Sequence, residues 1–401
     1  MAQSAGRGAL DPDHMRDRLR SADAVAAAAP FDSLRVVRAP GRVNLIGEHT
    51  DYNDGFAMPA AIGLEIRLAV VATAERRVTI TLDETGETAS FDLDDIGPPT
   101  GTWIDYVAGI AWALAEGDWP LTGFHGLLAS DLPRAAGLSS SAALEMAAAL
   151  ALLGPGATVP PVTRALAGRR AENGYVGVQS GVMDQFASAT GVADHAILID
   201  CRSLEWRPVP LPLDTFSLVV CHTGSSRRLD TSAYNERRAE CERAVAAIAA
   251  IDPSVKSLRD VDPVLLAAAG DRMDPIAARR ARHVVEEDAR VLETERAFAA
   301  DDLAEVGRLF AASHASLRDL FDVSSPELDA LVEIAVATDG VAAARMTGAG
   351  FGGSTVNIVR RDAVAALRER IEREYPARTG LRPTVLAVDA VDGAGEVPDR
   401  R

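Results

Sequence analysis

Residues 132–145 read LPRAAGLSSSAALE. Before them, residues 126–130 have the length and composition of a strand. After them, residues 142–153 are strongly apolar and long enough for a buried helix, and Gly154-Pro155-Gly156 ends the run. A loop of small residues therefore leaves a strand and opens a helix. Backbone amides at a helix start, ringed by serine hydroxyls, make a cradle for anions. The ordinary alternative is an N-capped helix, since serine is a favoured cap. Three consecutive serines exceed what a cap requires, and Glu145 stands one residue too far from Ser141 for a capping box. A Walker loop would need a lysine after its second glycine. The chain has one lysine, Lys256, with no glycine near it, so any nucleotide is held without a Walker loop.

Outward from this stretch, strands and helices are mixed without strict alternation, which predicts α+β rather than a doubly wound parallel sheet. On the N-terminal side, residues 11–28 read as a helix closed by Pro30, and residues 34–39, 62–73, 78–82 and 89–93 as strands. Residues 103–115 follow as a helix. On the C-terminal side, helices are expected at 162–173 and 182–190 and strands at 196–201 and 216–222. Further helices are expected at 230–251, 277–300, 303–318, 328–338 and 362–375, and strands at 342–346, 354–359 and 384–390. Prolines 208, 210 and 212 mark the weakest boundary in composition. The tail from residue 392 is rich in glycine, proline and charge and is expected to be mobile.

The chain has 401 residues, 48% of them hydrophobic and 25% charged, an ordinary globular balance with room for two or three domains. Its formal charge of −17 repels phosphate backbones and anionic lipid, so neither nucleic acid nor a membrane is an expected partner. Cys201, Cys221 and Cys241 lack the spacing of a zinc or redox site and read as reduced, buried thiols. No apolar run approaches a membrane span, and the first residues do not read as a secretory signal; a cytoplasmic location is expected.

Three more features carry chemistry. Residues 41–55, GRVNLIGEHTDYNDG, place one arginine, one histidine and five acidic or amide side chains in a loop bounded by glycines. Carboxylates there suit several sugar hydroxyls at once. A plain polar turn remains open as an alternative, and a metal site on Glu48, His49 and Asp51 is weakened by the lack of a second histidine nearby. Residues 346–354, MTGAGFGGS, put four glycines between two strands, which by itself reads as a glycine-rich turn. Glu172 in AENGYVG and Asp184 in SGVMDQFAS are acidic residues in apolar surroundings; each alone reads as a solvated carboxylate on a helix.

Taken together, the three glycine- and serine-rich motifs in this order resemble the GHMP kinases, and GRVNLIGEHTDYNDG resembles the galactokinase signature. WIDYVAGIAWAL, AENGYVGVQSGVMDQFAS and SAYNERRAEC match galactokinase patterns too, so the resemblance runs from about residue 38 to about residue 359. It implies a two-domain α+β fold with the active site in the cleft between an N-terminal and a C-terminal domain. The expected division is a leader and helix over 1–30, domains over 31–205 and 206–392, and a tail over 393–401. The implied reaction moves the γ-phosphoryl of ATP to the C1 hydroxyl of α-D-galactose with Mg²⁺, in a monomer. Alternatives are a kinase for N-acetylgalactosamine, arabinose or another C1 target, and a galactose and ATP sensor.

Residue by residue, the resemblance makes Asp184 the catalytic aspartate and Arg42 its arginine partner. Glu48, His49, Asp51, Gly181 and Tyr234 fall at sugar-contacting positions. Ala135, Ala136, Gly137, Leu138, Ser139, Ser140 and Ser141 form the phosphate loop, and Ser141 and Glu172 the Mg²⁺ pair. Trp103 becomes a candidate wall for adenine. The family usually has glycine where Ala135 stands, which bears on loop geometry if that position needs positive φ.

Overall fold

The computed structural model describes residues 7–133, 136–156, 159–225 and 231–398. A six-stranded sheet runs in the order β13 (Gly395–Glu396), β1 (Arg35–Asn44), β3 (Pro59–Thr73), β6 (Gly123–Ser130), β4 (Arg77–Leu82), β5 (Thr88–Asp92). Only β4 and β6 pair in parallel. The alternation in β3 has a cause on both faces. Leu68 and Val70 enter the main core, while Ala69 and Val71 meet Met15 and Leu19 of the N-terminal helix Pro12–Ala22. The helix Ser140–Leu152 packs on β1 and β3 and under the helix Ile104–Glu116. That double cover explains its apolar composition.

A second, four-stranded sheet is antiparallel, in the order β10 (Val341–Thr347), β11 (Ser354–Arg360), β9 (Phe216–His222), β12 (Thr384–Val388). Helices Pro326–Val336 and Val364–Thr379 cover one face through Val219, Ala344, Val359 and Val385. On the other face, Leu218, Val220, Val356 and Ile358 join the same apolar core as the first sheet. A small third sheet, β2 (Phe56–Ala57), β7 (His195–Asp200) and β8 (Trp206–Pro210), flanks them. The architecture is α+β, as expected, and we keep the division at 205/206 as a proposal. No helix among the described residues is long and apolar enough to cross a membrane.

Three expectations change. The helix over 11–28 breaks at Asp23, which is extended at φ −133° and caps a second short helix through the amides of Val25 and Ala26. The proline-marked stretch after residue 203 holds β8, where Pro208 and Pro210 are tolerated because β8 pairs on one side only. The tail, expected to be mobile, folds back onto β1 as far as Val397. Val37 faces Glu396, Val397 N donates to Val36 O at 2.8 Å, and Arg35 Nε reaches Glu396 at 2.6 Å.

Candidate active site

The first motif begins where β1 slips register between Pro40 and Arg42. A bulge there re-aims the next side chain. Gly41 is required, since a Cβ would lie 2.5 Å from both Leu132 Cδ2 and Leu138 O. Arg42, buried by this route, spans two other motifs. Its Nε and Nη2 reach Asp184 Oδ1 at 2.8 and 2.6 Å, and its Nη1 donates to Gly137 O at 2.7 Å. Asp184 lies in the first turn of the helix Met183–Thr190. Its other oxygen, Oδ2, accepts from Ser139 Oγ at 2.5 Å. Ser139 precedes the helix Ser140–Leu152 in the left-handed region at φ 58° and forms no side-chain cap. Its hydroxyl serves Asp184 instead.

The residues implied as sugar contacts lie together beside this cluster. Asp51 Oδ1 accepts from Tyr52 N at 3.0 Å, and burial plus the Asp184 charge push its carboxyl up to about 6. Gly181 faces it so closely that a Cβ would stand 1.8 Å from Asp51 Oδ2. His49 is held at φ 63°, with Nδ1 2.8 Å from Tyr52 Oη and Nε2 3.2 Å from Ala349 O. Its ring lies 5.6 Å from that of Tyr234, whose phenol burial pushes well above its ordinary value. Glu48 is paired with Arg345, and its Oε1 accepts from Gly348 N at 3.0 Å. Burial raises Glu48 to about 7 against the pull of Arg345.

At the other end stands Glu172, in the irregular helical turn Ala171–Val176. Ser180 Oγ donates to it, and Ser141 and Gln185 stand near enough to favour its charged form. Burial and the Asp184 charge raise its carboxyl, so a cation bound there would relieve the cost of its charge. Behind it, Glu145 is fully buried with Oε1 unpartnered and Oε2 accepting from Gln185 Nε2 at 3.0 Å. One hydroxyl, one buried carboxylate and room for phosphate oxygens and waters suit Mg²⁺. They do not form a metal cage by themselves: no group of three metal-ligating His, Cys, Asp or Glu occurs among the described residues.

These groups line one cavity of about 350 Å³. Arg42, Glu48, His49, Asp51, Gly181, Tyr234, Asp184, Glu172 and residues 136–141 all face it. Ala135 lies outside the described residues. Tyr106, Ser180 and Phe351 line the cavity too and were not anticipated, although Tyr106 lies within WIDYVAGIAWAL. Trp103, the candidate adenine wall, instead packs on the main core and donates from Nε1 to Glu87 at 2.9 Å. Lys256 is exposed and hydrogen-bonds to Pro253 O, away from the cavity. The third motif is more than a turn. Gly348 and Ala349 close the cavity, and a Cβ on Gly348, at φ 82°, would meet Gly137 O at 3.3 Å.

Comparison with known proteins agrees with this geometry. The galactokinase galactose-binding signature matches residues 27–72, the GHMP kinase N-terminal domain residues 105–192, and the GHMP kinase C-terminal domain residues 294–377. A galactokinase of Roseiflexus sp. (strain RS-1) is 44% identical over 91% of this chain and 93% of its own length. One from Chloroflexus aurantiacus is 44% identical over 89% and 92%. The crystal structure of Lactococcus lactis galactokinase complexed with galactose superposes with a TM-score of 0.87 at 35% identity, covering 91% of this chain and 95% of that one. Methanococcus jannaschii mevalonate kinase shares the fold at 18% identity and a TM-score of 0.65, over 90% of this chain and 100% of that one. With the arginine–aspartate pair, the serine loop and the polar sugar-side cluster in one cavity, the chain belongs to the galactokinase family of the GHMP kinases.

Proposed function

We propose that this chain transfers the γ-phosphoryl of ATP to the C1 hydroxyl of α-D-galactose, with Asp184 and Arg42 at the reacting centre. The observation that carries the reading is the Arg42–Asp184–Ser139 cluster, which joins the sugar-side motif to the serine loop. In the reaction the C1 oxygen bonds to the γ-phosphorus, the bond to the β-phosphate oxygen breaks, and ADP leaves. Asp184, fixed by two neighbours, accepts the hydroxyl proton. Arg42 lies where charge builds on the transferring group and offsets it without reorganising. Glu48, His49, Asp51, Tyr234 and the backbone of Gly181 orient the sugar. The loop 135–141 supplies amides and hydroxyls to the phosphates, replacing the absent Walker lysine. Ser141 and Glu172 would hold Mg²⁺, which when bound neutralises charge on the β- and γ-phosphates.

The electrostatics support a neutral sugar and a metal-bound nucleotide. Carboxylates outnumber arginines around the cavity, which disfavours bare polyphosphate. The test is ³¹P NMR of ATP–Mg²⁺ turnover with galactose, N-acetylgalactosamine, arabinose and glucose. Galactose 1-phosphate should form fastest, and transfer to none of them would sink the reading. D184N should lower kcat by about a thousandfold or more while galactose binding, read by calorimetry, stays within a few-fold. Near-normal turnover in D184N would remove Asp184 from its role.

A further inference from the structure

Arg345 has no role in the reaction described above, yet it is the largest fully buried side chain in the molecule's described part. It rises from β10 directly behind the sugar end of the cavity. Nη1 donates to Leu45 O at 2.8 Å, and Nη2 pairs with Glu48 Oε2 while standing 3.8 Å from Glu287 Oε1. The neighbouring contacts bind the same two segments. Thr347 Oγ1 accepts from Asn44 N and donates to Asn44 O, both at 2.9 Å, and Gly348 N donates to Glu48. The third motif therefore grips the first motif from behind, and both Glu48 oxygens face groups of the C-terminal half.

The charges around Glu48 come from four elements. Its own loop supplies His49, β10 supplies Arg345, and the helix Pro275–Ala299 supplies Glu287, Arg290 and His283, whose Nε2 lies 3.1 Å from Glu48 O. His314, from the helix Leu303–Ser316, pairs with Asp329 and feels Arg345. Burial and the arginines keep His283 and His314 down at about 4, so both are neutral near pH 7. What remains is two carboxylates, Glu48 and Glu287, against two arginines, Arg345 and Arg290. Burial opposes Glu287's charge, but Arg290 and Arg345 outweigh it and hold Glu287 at about 2. Glu48 is the member held less firmly, at about 7. Removing Arg345 leaves one arginine for two carboxylates, and the proton taken up goes to Glu48.

We propose that Arg345, on β10 just before the third motif, is the positioning residue that keeps Glu48 a charged acceptor for a galactose hydroxyl, so that a side chain outside the cavity lining governs sugar affinity. The proposal rests on the reading of Glu48 as a sugar ligand. A protonated Glu48 would lose the charge that strengthens its hydrogen bond from a sugar hydroxyl, and the contact would weaken.

The experiment compares R345M, R345K and E48Q by steady-state kinetics and galactose calorimetry between about pH 5.5 and 9. For R345M, galactose KM and Kd rise about tenfold or more, the loss expected of a charged hydrogen bond, while kcat and the KM for ATP hold within about threefold. The acidic limb of kcat/KM for galactose also moves to higher pH, which a merely structural role would not produce. R345K, which keeps the charge, leaves the limb near its wild-type position. Where R345M does not fold, R345K decides. Its single ammonium cannot serve Leu45 and Glu48 together, so galactose KM rises about threefold with kcat held. A folded R345M with an unmoved limb, or a folded R345K with wild-type KM, overturns the proposal if E48Q raises KM. If E48Q leaves KM unchanged, the sugar-ligand reading of Glu48 fails, and the proposal fails with it.

Discussion

The closest steric constraint in the cavity is the gap between Gly181 and Asp51, and G181A tests it. A Cβ at Gly181 would stand 1.8 Å from Asp51 Oδ2 and 2.1 Å from its Cγ. Ordinary carbon–oxygen contact lies well above 3 Å, so the carboxylate must move by roughly 1.5 Å. Gly181 is not in the left-handed region, so alanine adds no backbone strain there and the effect is purely steric. Displacing the carboxylate breaks its bond from Tyr52 N and, on the reading above, its bond to the sugar. A hydrogen bond to a charged group is worth about 1.5–3 kcal/mol. That corresponds to a fall of about 10- to 150-fold in kcat/KM for galactose. The serine loop is untouched, so the KM for ATP should stay within about twofold. The assay is coupled ADP release with galactose varied at saturating ATP–Mg²⁺, with circular dichroism to confirm folding and D51N alongside. A folded G181A with wild-type kcat/KM for galactose would refute the geometry, all the more if D51N loses activity.

Two other predictions concern the same cavity. S139A removes the 2.5 Å hydrogen bond to Asp184 Oδ2. Turnover should fall about tenfold with galactose KM within about twofold, read in the same coupled assay. The pH profile follows from the raised carboxyls of Glu48, at about 7, and Asp51, at about 6. As pH falls through these values both take up protons and lose their charge-assisted hydrogen bonds from the sugar hydroxyls, so kcat/KM for galactose declines on the acid side. The stability sign is opposite. A carboxyl raised by folding contributes stability fully below the ordinary carboxylate range, and that contribution is lost as pH rises through the folded value. The sugar-free protein thus loses this part of its stability between about pH 4.5 and 7, while galactose, which selects the ionised form, regains it. The galactose-induced rise in melting temperature should grow with pH across that window. A rise independent of pH in differential scanning fluorimetry would contradict the assignment.

Much of the fold was legible because local patterns and packing agree. The alternation in residues 62–73 predicts a strand, and β3 realises it with apolar cores on both faces. Where they disagreed, a local rule misled. The prolines after residue 203 suggested a stretch without a strand, yet an unpaired edge tolerates them and β8 forms there. The glycine and charge of residues 393–398 suggested mobility, but β1 has a free edge that this segment completes. The break at Asp23 came from a side chain that caps forward rather than continuing a helix.

In the site, residue type marked the polar loop 41–55 and a serine run that exceeds a cap, while Glu172 and Asp184 alone read as solvated carboxylates and took their roles from the family resemblance. The sequence alone therefore determined which chemistry is present: carboxylates, one arginine, hydroxyls and glycines, with no Walker lysine. The family resemblance named Arg42 as the partner of Asp184, but nothing in the sequence paired Glu48 with Arg345, which stands about 300 residues away along the chain. Arg42 meets Asp184 through a bulge in β1, Ser139 turns from capping to Asp184, and Gly181 is glycine because Asp51 fills its Cβ space. The third motif shows the difference most clearly. By composition it is a glycine-rich turn; in the fold, its Gly348 and the preceding Arg345 lock Glu48 in place. Local spacing decides what a segment can form, but a buried charge takes its partner from whatever the packed chain brings within reach, and only the tertiary structure decides that.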